Sequence, residues 1–334
     1  MASVKIGWPK AFPKGEYDLP WLVGSSGSAA LVALHMSGAA MTRVSKEDAK
    51  GTAVPLVPPT ATPGLVRGLA STREGTFVLH PNDKRIVLCD ERGAARATFT
   101  APYLRQVVAF VAHPTRPEVA FVWDEAEVGV ATTARLYRLT AEDMLAGREP
   151  TLLDTRPFRP TIAYDSAGAL VAVDSGIIHV FAEGSTTSAT VSIQAKLSGP
   201  QARMTAAGDR LALQMAPTGG SLLIVDRQGN VLREYSGLIA ENFQLVEGGR
   251  TLALTAQSAK ARTGSADWVQ WPEPRMLESY VAFLDVDSGD VRGLASRSAG
   301  ITQAFVAIEG ECLAVASYGR SKKIELISWA ALAG

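Results

Sequence analysis

Short apolar runs alternate with clusters of turn-forming residues along almost the whole chain. The clearest instance is Gln201 to Gly237. There, Arg203 to Thr205, Arg210 to Met215, Ser221 to Asp226 and Val231 to Tyr235 form four runs of apolar and β-favouring residues. Between them lie Ala207-Gly208-Asp209, Pro217-Thr218-Gly219-Gly220 and Gln228-Gly229-Asn230, whose Gly and Asn accept the positive φ that hairpin turns need. Four strands joined by tight turns in about 40 residues read as one antiparallel meander. A sheet of that size cannot bury its own faces, so it predicts neighbours of the same kind.

Measured against this unit, the rest of the chain resolves into repeats. Trp21 to Val57 offers four runs. Leu65 to about Thr100 offers VRGLAS, TFVLH, RIVLCD and ARATF. The run Phe77 to Pro81 (FVLHP) reappears as Phe110 to Pro114 (FVAHP), which by analogy would make TFVLH a first strand. Counting four strands makes it the second, and that register leaves enough residues before Gln106. A third unit starts at Gln106 and carries an insertion at about 140–150, with Thr140 as N-cap of a helical turn over Asp143 to Arg148. The fourth runs from Pro160 to Gln194, and the sixth opens at Glu241-Asn242-Phe243. The seventh has only three runs before the chain stops, while Ser3 to Ile6 is a strand-like run without a hairpin partner.

First strands near Pro160, Gln201 and Glu241 recur with a period of about 40 residues. From Glu241 to Ile301 the interval is about 60, and the surplus falls in a polar insertion, Ser258 to Glu278. The expected fold is therefore all-β and a single domain over residues 1–334. It is a seven-bladed β-propeller of four-stranded antiparallel blades, closed by the N-terminal strand pairing with the C-terminal blade. Closure would remove the exposed edges that a linear array leaves.

In meander spacing and turn chemistry the chain resembles the WD40-like superfamily of propellers over nearly all of its length. The resemblance is to architecture alone. Trp123-Asp124 follows a second strand, Val225-Asp226 and Val286-Asp287 are degenerate echoes of the Trp-Asp dipeptide, and no Gly-His precedes the first strands. It therefore implies no functional residues.

Composition narrows the function. Lys plus Arg and Asp plus Glu both total 33, so no net field steers the protein to nucleic acid or to an anionic membrane. A hydrophobic fraction of 47% with 20% charged residues argues for a folded, soluble chain. No apolar run has the length of a signal peptide or of a membrane span. Cys89 and Cys312 each lie in an apolar run, and two cysteines exclude both a disulfide framework and a cysteine metal site. They read as buried thiols in a reducing compartment, which predicts a cytoplasmic protein.

Candidate chemistry is sparse. Gly24-Ser25-Ser26-Gly27-Ser28 has the second Gly one position early for a nucleophile elbow and reads as a hairpin loop. His35, His80, His113 and His179 do not pair at metal-ligand spacing. No phosphate-binding glycine motif occurs. The best enzymatic alternative is a calcium-dependent small-molecule hydrolase or lactonase, its cation (Ca) held in the channel by Glu241 and Asn242, with Asp165 and Asp174 flanking strands nearby.

The strongest feature is the insertion, with Arg262, Trp268, Trp271, Arg275 and Met276 among prolines. Trp, Met and Arg are enriched at interface hot spots, and Pro lowers the entropy cost of ordering a loop. Equally, the two tryptophans have the size to fold back and cap their own blade. The expected function is a non-enzymatic scaffold that binds a protein or peptide partner through its loop-rich face, with no nucleic-acid or membrane partner and no cofactor.

Overall fold

The structure is a computed structural model that describes residues 17–25, 30–35, 40–45, 51–55, 68–72, 75–125, 133–157, 159–194, 201–215, 221–236, 242–257, 278–298, 301–308, 311–317 and 324–328. Turn residues punctuate the apolar runs at close intervals, so each run extends as a strand and pairs with the next. The first sheet is β1 (Tyr17–Ser25), β2 (Ala30–His35), β3 (Ala40–Ser45) and β4 (Thr52–Pro55). The second is β5 (Gly68–Thr72), β6 (Gly75–His80), β7 (Arg85–Cys89) and β8 (Ala95–Thr100). The third is β9 (Val107–Ala112), β10 (Glu118–Glu125), β11 (Thr133–Thr140) and β12 (Thr151–Arg156). The fourth is β13 (Thr161–Tyr164), β14 (Leu170–Asp174), β15 (Ile177–Phe181) and β16 (Ser188–Ser192).

The fifth sheet is β17 (Gln201–Ala207), β18 (Arg210–Met215), β19 (Ser221–Asp226) and β20 (Val231–Ser236). The sixth is β21 (Asn242–Val246), β22 (Thr251–Gln257), β23 (Glu278–Asp285) and β24 (Val291–Ser298). Among the described residues the last sheet has three strands, β25 (Ile301–Ile308), β26 (Glu311–Ser317) and β27 (Ile324–Ser328). Every pairing is antiparallel between consecutive strands, as a meander requires.

TFVLH is the second strand of its sheet, with Phe77 opposite Leu88 and His80 opposite Arg85, whereas FVAHP closes a first strand. The two similar runs therefore occupy different places. They share only the chemistry of a strand exit, where Pro cannot extend the ladder.

Three turns are built alike. In Asp90 to Ala94, Asp165 to Ala169 and Asp226 to Asn230, the Asp carbonyl accepts from the Gly N–H three residues on. Its carboxylate accepts from the N–H of the fifth residue at 2.8–2.9 Å. Gly229, at φ +85°, faces the Ser192 carbonyl of the fourth sheet so closely that a Cβ would overlap it. The turn thus also sets how the fifth sheet docks on the fourth, and Gln194 N–H donates to the Gly229 carbonyl across that gap at 2.7 Å.

Each pair of neighbouring sheets from the first to the sixth shares an apolar core. Strands β6 and β7 are buried on both faces, as sheets sandwiched between sheets must be. First strands also touch in succession, from β1 against β5 through to β21 against β25, and β25 touches β1. The insertion at 140–150 forms α1 (Ala141–Leu145). Its N-cap Thr140 accepts from Asp143 N–H, and the Asp143 carboxylate accepts from Thr140 N–H. No helix of the described residues is long and apolar enough to cross a membrane.

Candidate interaction face

In a meander, the loops joining first to second and third to fourth strands leave one end of the sheet, here the turn end. Loops joining second to third strands, and the connections between sheets, leave the opposite or linker end. Gln257 at the end of β22 and Glu278 at the start of β23 therefore both lie at the linker end. Arg262, Trp268, Trp271, Arg275 and Met276 lie outside the described residues.

The linker end of the second to fourth sheets carries a constellation that sequence reasoning missed. The connection between β8 and β9 is a 3-10 turn, Pro102–Gln106, with Pro at its start and Leu104 buried beneath it. Leu104 anchors the turn in the core shared by the second and third sheets. Tyr103 thereby stacks on Tyr137 with centroids 5.4 Å apart and meets the Trp123 ring at 5.3 Å. The Trp123 indole N–H donates to Gln106 Oε1 at 3.1 Å, and the Arg135 guanidinium lies over the indole at 4.8 Å. Trp123 and Arg135 meet because they sit directly opposite each other on β10 and β11. Burial pushes the Tyr103 phenol above its ordinary range, so it stays neutral.

Asp124 points to the other side of the same strand, towards the fourth sheet. Its Oδ2 accepts from Arg159 Nε at 3.0 Å and also from Arg159 Nη2. The Asp124 side chain is only 6% exposed while Arg159 is 57% exposed. The buried carboxylate thus holds the guanidinium in one orientation with its outer edge in solvent. Arg105, Gln106 and Val108, in and just after the 3-10 turn, are also exposed. Orienting an arginine in advance lowers the entropy lost when it binds a partner. The sequence signal was Trp123-Asp124 itself, which has meaning only once the position opposite Trp123 and the path of the β12–β13 connection are known.

Of the calcium candidates, Asp165 and Asp174 lie at opposite ends of the fourth sheet. Asp165 lies in the turn after β13, at the turn end, and its Oδ1 accepts from Ala167 and Ala169 N–H at 2.8 and 2.9 Å. Its side chain is fully buried and ion-paired with Arg227. Asp174 ends β14 at the opposite end of the sheet, where it accepts from the Ser175 hydroxyl at 2.8 Å and lies 3.7 Å from Arg156 Nη1. Asn242 begins β21 at the linker end, and Glu241 lies outside the described residues. Among the described residues no three His, Cys, Asp or Glu side chains are placed to share a metal ion. Burial pushes the Cys89 thiol up to about 12, which makes it inert at neutral pH.

The chain is similar to the Cps50 (Swd1) β-propeller domain of Myceliophteria thermophila. Identity is 11%, covering 96% of this chain and 98% of that one, with a TM-score of 0.63. It is likewise similar to U3-55K, at 11% identity over 92% of this chain and 94% of that one, with a TM-score of 0.60. No family model matches the sequence, and no curated protein matches it. At such identity the likeness shows the fold alone, and with the antiparallel sheets that fold is a β-propeller architecture.

Proposed function

We propose that the protein is a non-enzymatic scaffold that binds a protein or peptide partner through its linker face. The carrying observation is the oriented, outward-facing Arg159 on buried Asp124, beside the Tyr103–Trp123–Arg135 stack. Aromatic and Arg anchors on a rigid support are the residues that concentrate binding energy. Gln257 and Glu278, the described residues that flank the insertion with Trp268 and Trp271, lie at the same linker end, and the proposal extends the site to those two tryptophans. Balanced charge speaks for a protein rather than a nucleic-acid partner, and the chain is taken as cytoplasmic.

Trp268→Ala/Trp271→Ala and Asp124→Asn/Arg159→Ala, the second of which removes the buried charge together with its partner, are expected to weaken capture of partners from the native host by at least about tenfold, with the unfolding midpoint little changed. Equal capture by both variants and the wild type would remove the site. The alternative, a calcium-dependent hydrolase, predicts a stoichiometric divalent ion in the purified protein, and metal analysis decides between the two readings.

The same proposal takes the fold as a seven-bladed ring. Contact of β25 with β1 supports this, as does a last sheet in which β27 has one neighbour among the described residues. Ser3 to Ile6 would supply the fourth strand beside β27, which satisfies the edge hydrogen bonds that water would otherwise hold. Deleting residues 1–8 is expected to lower Tm by several degrees, corresponding to about 2 kcal/mol or more. An unchanged Tm would refute closure by this strand.

A further inference from the structure

The seam between the third and fourth sheets is polar at both ends, and each end holds a buried histidine. Its middle is apolar, formed by Ala120, Val122, Leu136, Leu170, Ala172 and Phe181. At the turn end, His113 is 1% exposed and its Nδ1 accepts from the backbone N–H of Thr115 at 3.2 Å and of Arg116 at 3.0 Å. Its ring packs on Tyr164 of the fourth sheet at 4.9 Å, and Gly168 comes so close that a Cβ there would overlap Nε2. At the linker end, His179 of β15 is 8% exposed, and its Nε2 meets Arg156 Nη1 of β12 at 2.6 Å.

A guanidinium and a backbone amide offer only N–H groups, so the facing ring nitrogens must carry lone pairs. These bonds therefore exist only while both rings are neutral. Protonation would set N–H against N–H at each end of one seam. We propose that this seam is an acid-released joint, in which charging His113 and His179 lets the third and fourth sheets part while the seams among the fourth, fifth and sixth sheets stay closed.

The charged surroundings bear on the sign. His113 faces Arg116 on its own turn, Glu118 of β10, Arg138 of β11 and Glu183 on the turn after β15, beside the Tyr164 hydroxyl. His179 faces Arg156 and Asp154 of β12 and Asp174 of β14. Burial, the largest influence on both rings, lowers their proton affinity; Arg156 adds to it at His179, and Glu183 opposes it at His113. A histidine held neutral when closed and free to charge at about 6.5 when open favours closure above that pH, and the advantage is lost as pH falls below it. Between pH 8 and 5 a ring that stays neutral throughout in the closed form multiplies the opening constant by at most about thirtyfold. Glu118 acts in the opposite sense: burial raises its proton affinity, so acid favours the closed form at that group. The seams among the fourth, fifth and sixth sheets hold no histidine among the described residues.

Amide hydrogen exchange, corrected for intrinsic rates, tests the joint in the full chain. The opening constants of the Thr115 and Arg116 amides are expected to rise at least about tenfold from pH 8 to 5, while those of Gln194 and Leu245 change less than about threefold. Gln194 and Leu245 donate across the fourth–fifth and fifth–sixth seams. Parting of the whole seam is read by thiol labelling of Ala172→Cys against Ala212→Cys, both residues being 0% exposed, corrected for thiolate fraction and for the wild-type background. The first is expected to accelerate in acid and the second not. In His113→Asn/His179→Gln, carbonyl oxygens that cannot titrate replace the accepting nitrogens, and the acid response should vanish. Parallel acid responses at all seams in the wild type, or a response that survives in the double variant, would overturn the proposal. The wild-type comparison decides alone if the variant does not fold.

Discussion

Replacing Arg227 by Met is expected to destabilise the protein by about 3–5 kcal/mol, read as a lower denaturant midpoint at unchanged slope. Asp165 is fully buried at the turn end of the fourth sheet, and Arg227 reaches it from the fifth sheet. Arg227 also donates to the Gly208 carbonyl at 3.0 Å, so one side chain ties two turns together. Removing the guanidinium leaves a carboxylate with no counter-charge in a place water does not reach. The opposite truncation is milder, because Arg227 is 27% exposed and turns to solvent.

Asp165→Asn/Arg227→Met should therefore lie nearer the wild type than Arg227→Met alone, since Asn keeps an oxygen for the Ala167 and Ala169 amides. The same proteins test the calcium alternative. If Asp165 helped to hold a cation, added calcium would raise the wild-type midpoint and not that of Asp165→Asn. The ion pair with Arg227 predicts no such difference.

Phe121→Ala should cost about 3–5 kcal/mol, and Phe121→Leu about 1 kcal/mol. Phe121 is 0% exposed at the centre of the core between the second and third sheets, stacked on Tyr137 at 5.3 Å. Its removal opens a cavity lined by both sheets, which cannot collapse without moving one against the other. The loss should be accompanied by weaker partner capture. Tyr137 supports Tyr103, and Tyr103 positions the Trp123 stack on the linker face. A stability loss in that range with capture intact would separate the core from the proposed site.

Local order in this protein is legible from residue pattern. Runs such as Arg210 to Met215 and Ser221 to Asp226 carry β-favouring side chains, and the Asp-x-x-Gly turns carry the carboxylate and the positive-φ residue they need. Strand existence, pairing order, the register of TFVLH and the Thr140 cap therefore follow from chemistry within about ten residues. The similarity of FVLHP and FVAHP misleads for the same reason, since a strand exit looks alike wherever it occurs.

What stands across a seam is not written locally. Asp165 and Asp174 look equivalent in sequence, two acids at strand ends. Yet one is buried under Arg227, 62 positions away, and the other lies at the opposite end of its sheet beside Arg156. Likewise Trp123 acquires its role from Tyr103 and Gln106 of the Pro102–Gln106 turn and from Arg135 of β11. The sequence by itself determined a repeating meander of four-stranded sheets, because strand and turn propensities act between near neighbours. Only the tertiary structure decided which polar side chains are buried against which, because that depends on how rigid sheets dock face to face.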